Sequence, residues 1–539
     1  MQASDRREGL HAAVSPDGRL IASIGSNGLT VAETISTERR LDFSIRIAPR
    51  DATVVTWSSD SVRIAICSPK LVEVVDLEDV DRRVRLDNGS GGLGRFASAH
   101  FVGEEHLLTT WEFGRAKLWD LSTGRSTEIG DLKTTADSAN VQQRPCSGGA
   151  HRQVLALLTR TGAEDHLVLH FPEQSGSSVP IKLPTVDAQS LCWSPDGRWL
   201  VIRDTSTASV GVRVYTADGH HFRSWPSTTS SEPTALGVKA LTWSSNSDKI
   251  ALSCCDSKVV LLSSRIFSPL ATIEHANFIR QSTLASDRQT KVWREAVSAS
   301  NERSYSLATQ ATALPLSRTK PTTEPSELGI AEACFSCDAN FLATRDEAML
   351  STVWIWNIAS LSAQAVVVQH NNVRRMQWHP HRPHRLLLEC GEGVAYIFDV
   401  TSDESPSPVS VEVPGNPILS WLPATAEMKS AILAATKSTF RILYPEGRVE
   451  TTTVAASGTA TGAEAFKRSM SEDSLLDMLS GRKPLLAQTA QSYTEQVDLE
   501  ADADGGLYSD GGLDDTFRAK RKNDVREVEA DPLDDSEFF

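Results

Sequence analysis

Along the first 450 residues, short apolar runs alternate with polar, turn-forming clusters, and one phrase recurs. An apolar or aromatic anchor is followed by Ser-Pro-Asp-Gly or a relative, then by an apolar run. Val14-Ser15-Pro16-Asp17-Gly18 and Trp193-Ser194-Pro195-Asp196-Gly197 are the clearest copies, and weaker ones begin at Trp57, Phe101, Cys146, Trp243, Phe335, Trp378 and Trp421. The steps between successive anchors are 43, 44, 45, 47, 50, 92, 43 and 43 residues. In the turns, Pro presets φ, Asp bonds its own backbone and Gly accepts positive φ. The apolar runs after them, such as Val62 to Cys67, Trp199 to Ile202, Ile250 to Ser253 and Phe341 to Thr344, read as strands. Further short strands follow second turns, as in Ala116 to Asp120, Thr352 to Asn357 and Ala395 to Asp399.

Short strands with turns between them indicate an all-β fold. The period near 43 selects a β-propeller of four-stranded blades of WD-repeat type. One such blade cannot bury both its faces, so neighbours must stack around a channel. About nine degenerate blades are expected, in one large ring or in two fused propellers. Packing is expected to rest on the blade anchors Val14, Trp57, Phe101, Trp193, Trp243, Phe335, Trp378 and Trp421, with Trp119, Asp120 and Trp356 at strand ends. The Trp-Asp pair is intact once, at Trp119-Asp120, with looser forms at Trp356-Asn357, Phe398-Asp399 and Val75-Asp76. Its Gly-His partner is nearly absent, since Gln369 precedes His370 where Gly would stand. The side-chain network of a regular blade is therefore expected to be mostly missing. The first ten residues do not read as a strand, so the tie that closes a propeller is expected to come from elsewhere or to lie before this sequence.

The chain then divides into a polar segment 1–10, blades over 11–264, an insertion or degenerate blade over 265–327, blades over 328–450, and a tail over 451–539. The 92-residue step equals two blades or one blade plus the insertion. The insertion is rich in Ser, Thr and Pro, with a candidate strand at Thr290-Lys291-Val292-Trp293. From Ala501 to Phe539 there are 12 acidic and 5 basic residues, so the local net charge is −7. Such a segment buries too little apolar surface to offset its ordering entropy and is expected to be disordered. Within the tail, Ser469 and Glu472 have capping-box spacing ahead of a possible short helix over 470–479, and the serines there are candidate phosphosites.

Composition narrows the function. The 539 residues carry 54 Lys and Arg against 69 Asp and Glu, a net charge of −15. That balance argues against nucleic acid and anionic lipid as default partners. No apolar run approaches membrane-spanning length and the N-terminus has no signal-peptide pattern, so a cytosolic or nuclear location is expected. The eight cysteines read as buried thiols. Cys334-Phe335-Ser336-Cys337 is half of a zinc pattern without its second pair, and it falls on a blade phrase. His370, His379, His381 and His384 cluster with Arg374, Arg375, Arg382 and Arg385, which suits a polar turn or a basic protein-binding patch better than a metal. Gly89 to Gly94 satisfies Gly-x-Gly-x-x-Gly but leads into a strand rather than a helix, so it reads as a loop between blades. No nucleophile elbow, phosphate loop or zinc-protease motif is present, and nothing positively supports an enzyme, a metal, a cofactor or a small-molecule substrate.

Several phrases in collinear order from about His11 to Gly447 carry a family resemblance. They include Leu328 to Ser336, Phe341 to Arg345, Val353-Trp354-Ile355-Trp356, Thr110-Trp111-Glu112-Phe113, Leu236 to Lys239 and Val413-Pro414-Gly415. With these the chain resembles the centrosomal and spindle-pole, microtubule-anchoring WD-repeat family known as WD repeat protein eight. The resemblance implies a non-catalytic scaffold at the microtubule-organising centre, which is the spindle pole body in fungi. It also implies a coiled-coil microtubule-anchoring partner and, in fungi, cooperation with a minus-end-directed kinesin in tethering spindle microtubules. The acidic tail lies outside it. A substrate receptor of a ubiquitin ligase, or another general adaptor, is the alternative expectation for such a propeller.

Overall fold

In the computed structural model the described residues lie within 2–447, apart from 5–6, 26–27, 35–39, 46–51, 80–81, 88–93, 95, 134–139, 146–152, 173–176, 227–236, 281–289, 318–327 and 423–428. The candidate helix 470–479 and the acidic tail fall outside them, as does Cys146. The chain divides into two units at about residue 451, and the first unit holds all the described residues.

Nine blades, each built on a four-stranded antiparallel core, succeed one another among the described residues. Blade 1 spans 10–45, blade 2 54–87, blade 3 96–129, blade 4 141–182, blade 5 190–225, blade 6 238–274, blade 7 330–368 and blade 8 375–410. Blade 9 takes three strands from 418–444 and its fourth from the N-terminus. First strands of neighbouring blades approach each other, as Leu10–Val14 does Val54–Trp57 and Ile330–Phe335 does Arg375–Trp378, so the first strand is innermost. Burial falls outward accordingly. The second strand of blade 2 holds Ile64, Ala65, Ile66 and Cys67 all at 0% exposure, because both faces of its sheet are covered. The fourth strand of blade 3, Ser126–Ile129, is exposed along most of its length. The continuous apolar runs in the sequence are thus second and third strands, and the polar runs are rim strands.

Each pair of neighbouring blades shares an apolar cluster, and the clusters run once around the chain. Ile24 and Trp57 belong to the cluster of blades 1 and 2, Val366 and Leu261 to that of blades 6 and 7, and Trp421 and Leu387 to that of blades 8 and 9. The last cluster joins Ile21 and Ala32 of blade 1 to Leu433, Ile442 and Tyr444 of blade 9. The blades therefore form one closed ring of nine, not two fused propellers.

The closing strand corrects the reading of the N-terminus. Gln2 and Ala3 pair with Tyr444 and Leu443, and Arg7 and Glu8 pair with Phe440 and Thr439. The bonds are mostly backbone bonds, so the segment needs no apolar alternation. Ser4 locks it: its N–H donates to the Ile442 carbonyl at 2.8 Å, and its Oγ accepts from the Ile442 N–H at 2.9 Å.

The 92-residue step is one blade plus an insertion. Strand Lys291–Val297 pairs in parallel with the outermost strand of blade 7, Ser362–Val368, and Arg303–Leu307 folds back on it. Blade 7 thereby becomes a six-stranded sheet. A parallel strand cannot follow by a tight turn. It arrives here because the chain enters from blade 6 before the core of blade 7 is made.

Candidate protein-interaction face

The repeated turns show how the sequence positions the surface. Ser15, Ser58, Ser194, Ser244 and Ser336 are all at 0% exposure. Each hydroxyl donates to the Asp or Asn two residues on, at 2.5 Å in Ser15–Asp17, 2.8 Å in Ser244–Asn246 and 2.6 Å in Ser336–Asp338. The same oxygen accepts a backbone N–H five residues on, from Leu20 at 2.9 Å and from Phe341 at 3.0 Å. The residue after the Asp sits in the left-handed region. It is Gly18 or Gly197 in two turns and Ser61 or Ser247 in two others. There the serine has a use, because Ser61 Oγ accepts from the Asp17 N–H and Ser247 Oγ from the Asp196 N–H of the preceding blade.

The anchors lie at the ends of innermost strands. The Trp57 indole donates to the Ala13 carbonyl at 3.0 Å, Trp378 to Cys334 at 2.9 Å, Trp421 to Gln377 at 3.2 Å and Trp193 to Gln142 at 3.3 Å, always in the preceding blade. Trp243 is buried with its indole N–H unpartnered. Phe101 is buried, while Val14 and Phe335 are half-buried against interblade clusters. Trp119 donates to Thr109 Oγ1 at 2.8 Å, and Asp120 caps the turn that follows through Ser122 and Thr123.

The network of a regular blade, expected to be mostly missing, is largely assembled in blade 7. Thr344 Oγ1 lies 2.8 Å from the Trp356 indole nitrogen and 2.7 Å from His275 Nε2, and Asp346 stands 3.8 Å from His275 Nδ1. His275 stacks beside Trp354 and Trp356. Burial lowers the His275 pKa to about 3, and it raises that of Asp346. The histidine escaped the sequence pattern because the insertion separates it from Thr344 by 69 residues.

The other candidates are accounted for by packing. Burial raises the thiol pKa of both Cys334 and Cys337. His379 is buried, its Nδ1 accepting from the His381 and Arg382 N–H groups and its Nε2 3.0 Å from Ser430 Oγ, so it replaces the turn serine of the other blades. Arg382 and Arg385 both meet Glu446, and His384 lies 3.4 Å from Asp399. Arg374 bonds Asn416 at 2.9 Å, and the backbone N–H of His370 bonds Glu295. Of the glycine loop, only Gly94 lies within the described residues. Among the described residues, no three His, Cys, Asp or Glu are placed to hold a metal, and no helix is long and apolar enough to cross a membrane.

Chain reversals alternate between the two faces of the ring. Second-to-third-strand turns and the connections between blades share one face. On it Phe113 is 81% exposed, Val186 66% and Ile418 55%. Phe113 is held at φ 67°, and Gly114 follows at φ 69° with its backbone bonded to Leu132, where a Cβ would meet the Leu132 carbonyl at 2.2 Å. The left-handed turn thus presents the phenyl ring outward at a cost in backbone strain. Beside Val186 lies a charge network spanning blades 3 to 5. Lys133 Nζ is 3.0 Å from Asp165 and 2.7 Å from Asp187, and Arg160 also meets Asp187. Burial opposes ionisation of Asp187, yet Lys133 and Arg160 hold its carboxyl below the usual range. Asp204, fully buried, accepts from Arg213 at 2.9 Å and from the N–H groups of Val186 and Asp187. This fixes the loop that carries Val186. The arrangement offers exposed apolar side chains, one of them on a loop fixed by paired charges, which suits holding a surface.

No family model matches the chain. In sequence it is 26% identical over 436 residues to mouse WD repeat-containing protein WRAP73, covering 76% of this chain and 88% of that one. It is 27% identical over 389 residues to an uncharacterized WD repeat-containing protein of Schizosaccharomyces pombe, covering 70% and 76%. A crystal structure described as the eukaryotic initiation factor shares 10% identity at a TM-score of 0.48, covering 76% of this chain and 89% of that one. The two sequence matches agree with the resemblance carried by the blade phrases, and the chain, a closed nine-bladed β-propeller, is similar in sequence to WD repeat-containing proteins, mouse WRAP73 among them.

Proposed function

We propose that this propeller is a non-catalytic scaffold at the microtubule-organising centre, where it holds a coiled-coil partner that anchors spindle microtubule minus ends. The observation that carries the scaffold reading is the face bearing exposed Phe113, Val186 and Ile418, with paired charges fixing the loop of Val186. Apolar side chains fixed on a rigid rim suit the apolar stripe of a helix. The resemblance to the spindle-pole family supplies the place and the partner class. In cells, the tagged full chain is expected to concentrate at the spindle poles and to co-purify with coiled-coil proteins. Phe113→Ser combined with Val186→Asp should cut that recovery roughly tenfold, as loss of hot-spot contacts does, with the melting temperature unchanged. Diffuse signal throughout mitosis would overturn the spindle-pole reading, and recovery of cullin-type subunits instead would point to a ubiquitin ligase.

A further inference from the structure

The insertion before blade 7 leaves that sheet with an open edge. Lys291–Val297 pairs on one side with Ser362–Val368 and on the other with Arg303–Leu307, which pairs with no further strand among the described residues. Two bonds at the ends of the hairpin fix which groups stay free. The Ser298 N–H donates to the Glu302 carbonyl and the Ala308 N–H to the Val292 carbonyl, both at 2.9 Å. Alternate residues bond across an antiparallel pair, so Ser304 and Ser306 turn their main-chain groups inward. Those of Arg303, Tyr305 and Leu307 point outward, a row of donors and acceptors spaced for one more strand.

Outer strands elsewhere on the rim carry a charge or a proline: Arg85 in blade 2, Glu128 in blade 3, Pro180 in blade 4, Arg223 in blade 5, Pro269 in blade 6 and Pro408 in blade 8. Such residues discourage a further strand. Ser304-Tyr305-Ser306-Leu307 has neither. Arg303, the one charge of its strand, is turned away, its side chain 6% exposed and engaged by Glu295 and Glu392. The Tyr305 hydroxyl donates to Gln369 Oε1 at 2.7 Å, and its ring meets that of Tyr396 in blade 8. The edge is thus held in place before anything binds, which lowers the entropy cost of binding. Alternation puts Tyr305 and Leu307 on the face toward blade 8, where Leu307 is 46% exposed, and leaves Ser304 and Ser306 exposed on the other. The net charge of −15 sets copies of this chain against one another, so the occupant is a different chain.

We propose that the open edge of Arg303–Leu307 docks an extended segment of a partner protein as a seventh strand on the six-stranded sheet of blade 7. The segment exchanges main-chain hydrogen bonds with Arg303, Tyr305 and Leu307. Its side chains alternate, with apolar ones beside Tyr305 and Leu307 and polar ones beside Ser304 and Ser306. This edge is separate from the face bearing Phe113 and does not rest on the spindle-pole reading.

The test selects random displayed peptides on the full-length protein and sorts the clones by hydrogen exchange. Edge binders are expected to slow amide exchange over 303–307 and to carry apolar residues at alternate positions. N-methylation of one alternate set of peptide amides should weaken binding roughly fivefold or more, the loss of at least one main-chain bond, while methylation of the other set leaves it unchanged. Leu307→Pro removes an outward N–H and no bond within the hairpin, so its melting curve should match the parent while binding falls roughly tenfold. Leu307→Ala keeps that N–H and should cost less. Recovery of no clone that protects 303–307 overturns the site. Equal effects from the two N-methylation sets, read on the unaltered protein, overturn the added strand. A parent dimer that Leu307→Pro makes monomeric overturns the partner in favour of a second copy.

Discussion

Thr344 shows how much rests on a single hydroxyl. It is fully buried and serves both the Trp356 indole and His275. Thr344→Val keeps the volume but orphans two buried groups, so unfolding free energy should fall by about 1–3 kcal/mol for each, read by denaturant titration. Thr344→Ser retains the oxygen and should cost less than about 1.5 kcal/mol. Histidines also set a pH dependence. Burial lowers the pKa of His275 to about 3, and burial with Arg382 and Arg385 lowers that of His379 to about 4. In the unfolded chain both take up a proton near the ordinary histidine value of about 6.5. Unfolding therefore binds protons in that interval, and stability held above it is lost as pH falls toward 4. Asp346, raised by burial, works in the opposite direction. His379→Ser installs the turn residue of the other blades without a titrating ring. Its melting temperature should fall less steeply between pH 6.5 and 4 than the parent's, as measured by calorimetry.

The hairpin 291–307 is the element that departs from the repeat, and a buried charge seats it. Glu295 is 3.2 Å from Arg303 Nη1, accepts from the Tyr396 hydroxyl of blade 8 and receives the His370 N–H at 2.8 Å. Arg303 also reaches Tyr396 at 2.6 Å and Glu392 at 3.1 Å. Burial and Glu295 raise the Tyr396 pKa, so the phenol keeps its proton to donate. Glu295→Ala leaves Arg303 without its buried partner and should destabilise the protein by about 3–5 kcal/mol. Limited proteolysis near 298–302 should quicken as the hairpin detaches from blade 8. Little of this was legible beforehand. Val292 and Trp293 marked a strand, but Glu295 reads as an ordinary surface acid until the partner strand and blade 8 are in place. The second strands were legible because two covered faces demand unbroken apolar runs. The inner strand of blade 4, Val141–Gln143, was not, since its residues are mainly polar and its blade lacks an aromatic anchor.

At the scale of the whole ring, each blade is held by two neighbours, and the joint between blades 9 and 1 alone is tied by strands from both ends of the propeller. Removing residues 2–9 should lower the denaturation midpoint and speed hydrogen exchange across Thr439–Tyr444 roughly tenfold or more, while central strands of blades 4 to 6 change little. Periodicity announced the blades but not their closure, because Gln2–Ala3 contributes backbone bonds rather than a side-chain pattern. Ala3 meets Leu443, 440 positions later. During synthesis, then, residues 2–8 emerge long before the strand they pair with and are among the last to find their place. Until blade 9 has been translated, the nascent propeller carries an uncapped flank of sheet, and a bulky fusion placed ahead of Gln2 would stand at the very seam the molecule must close.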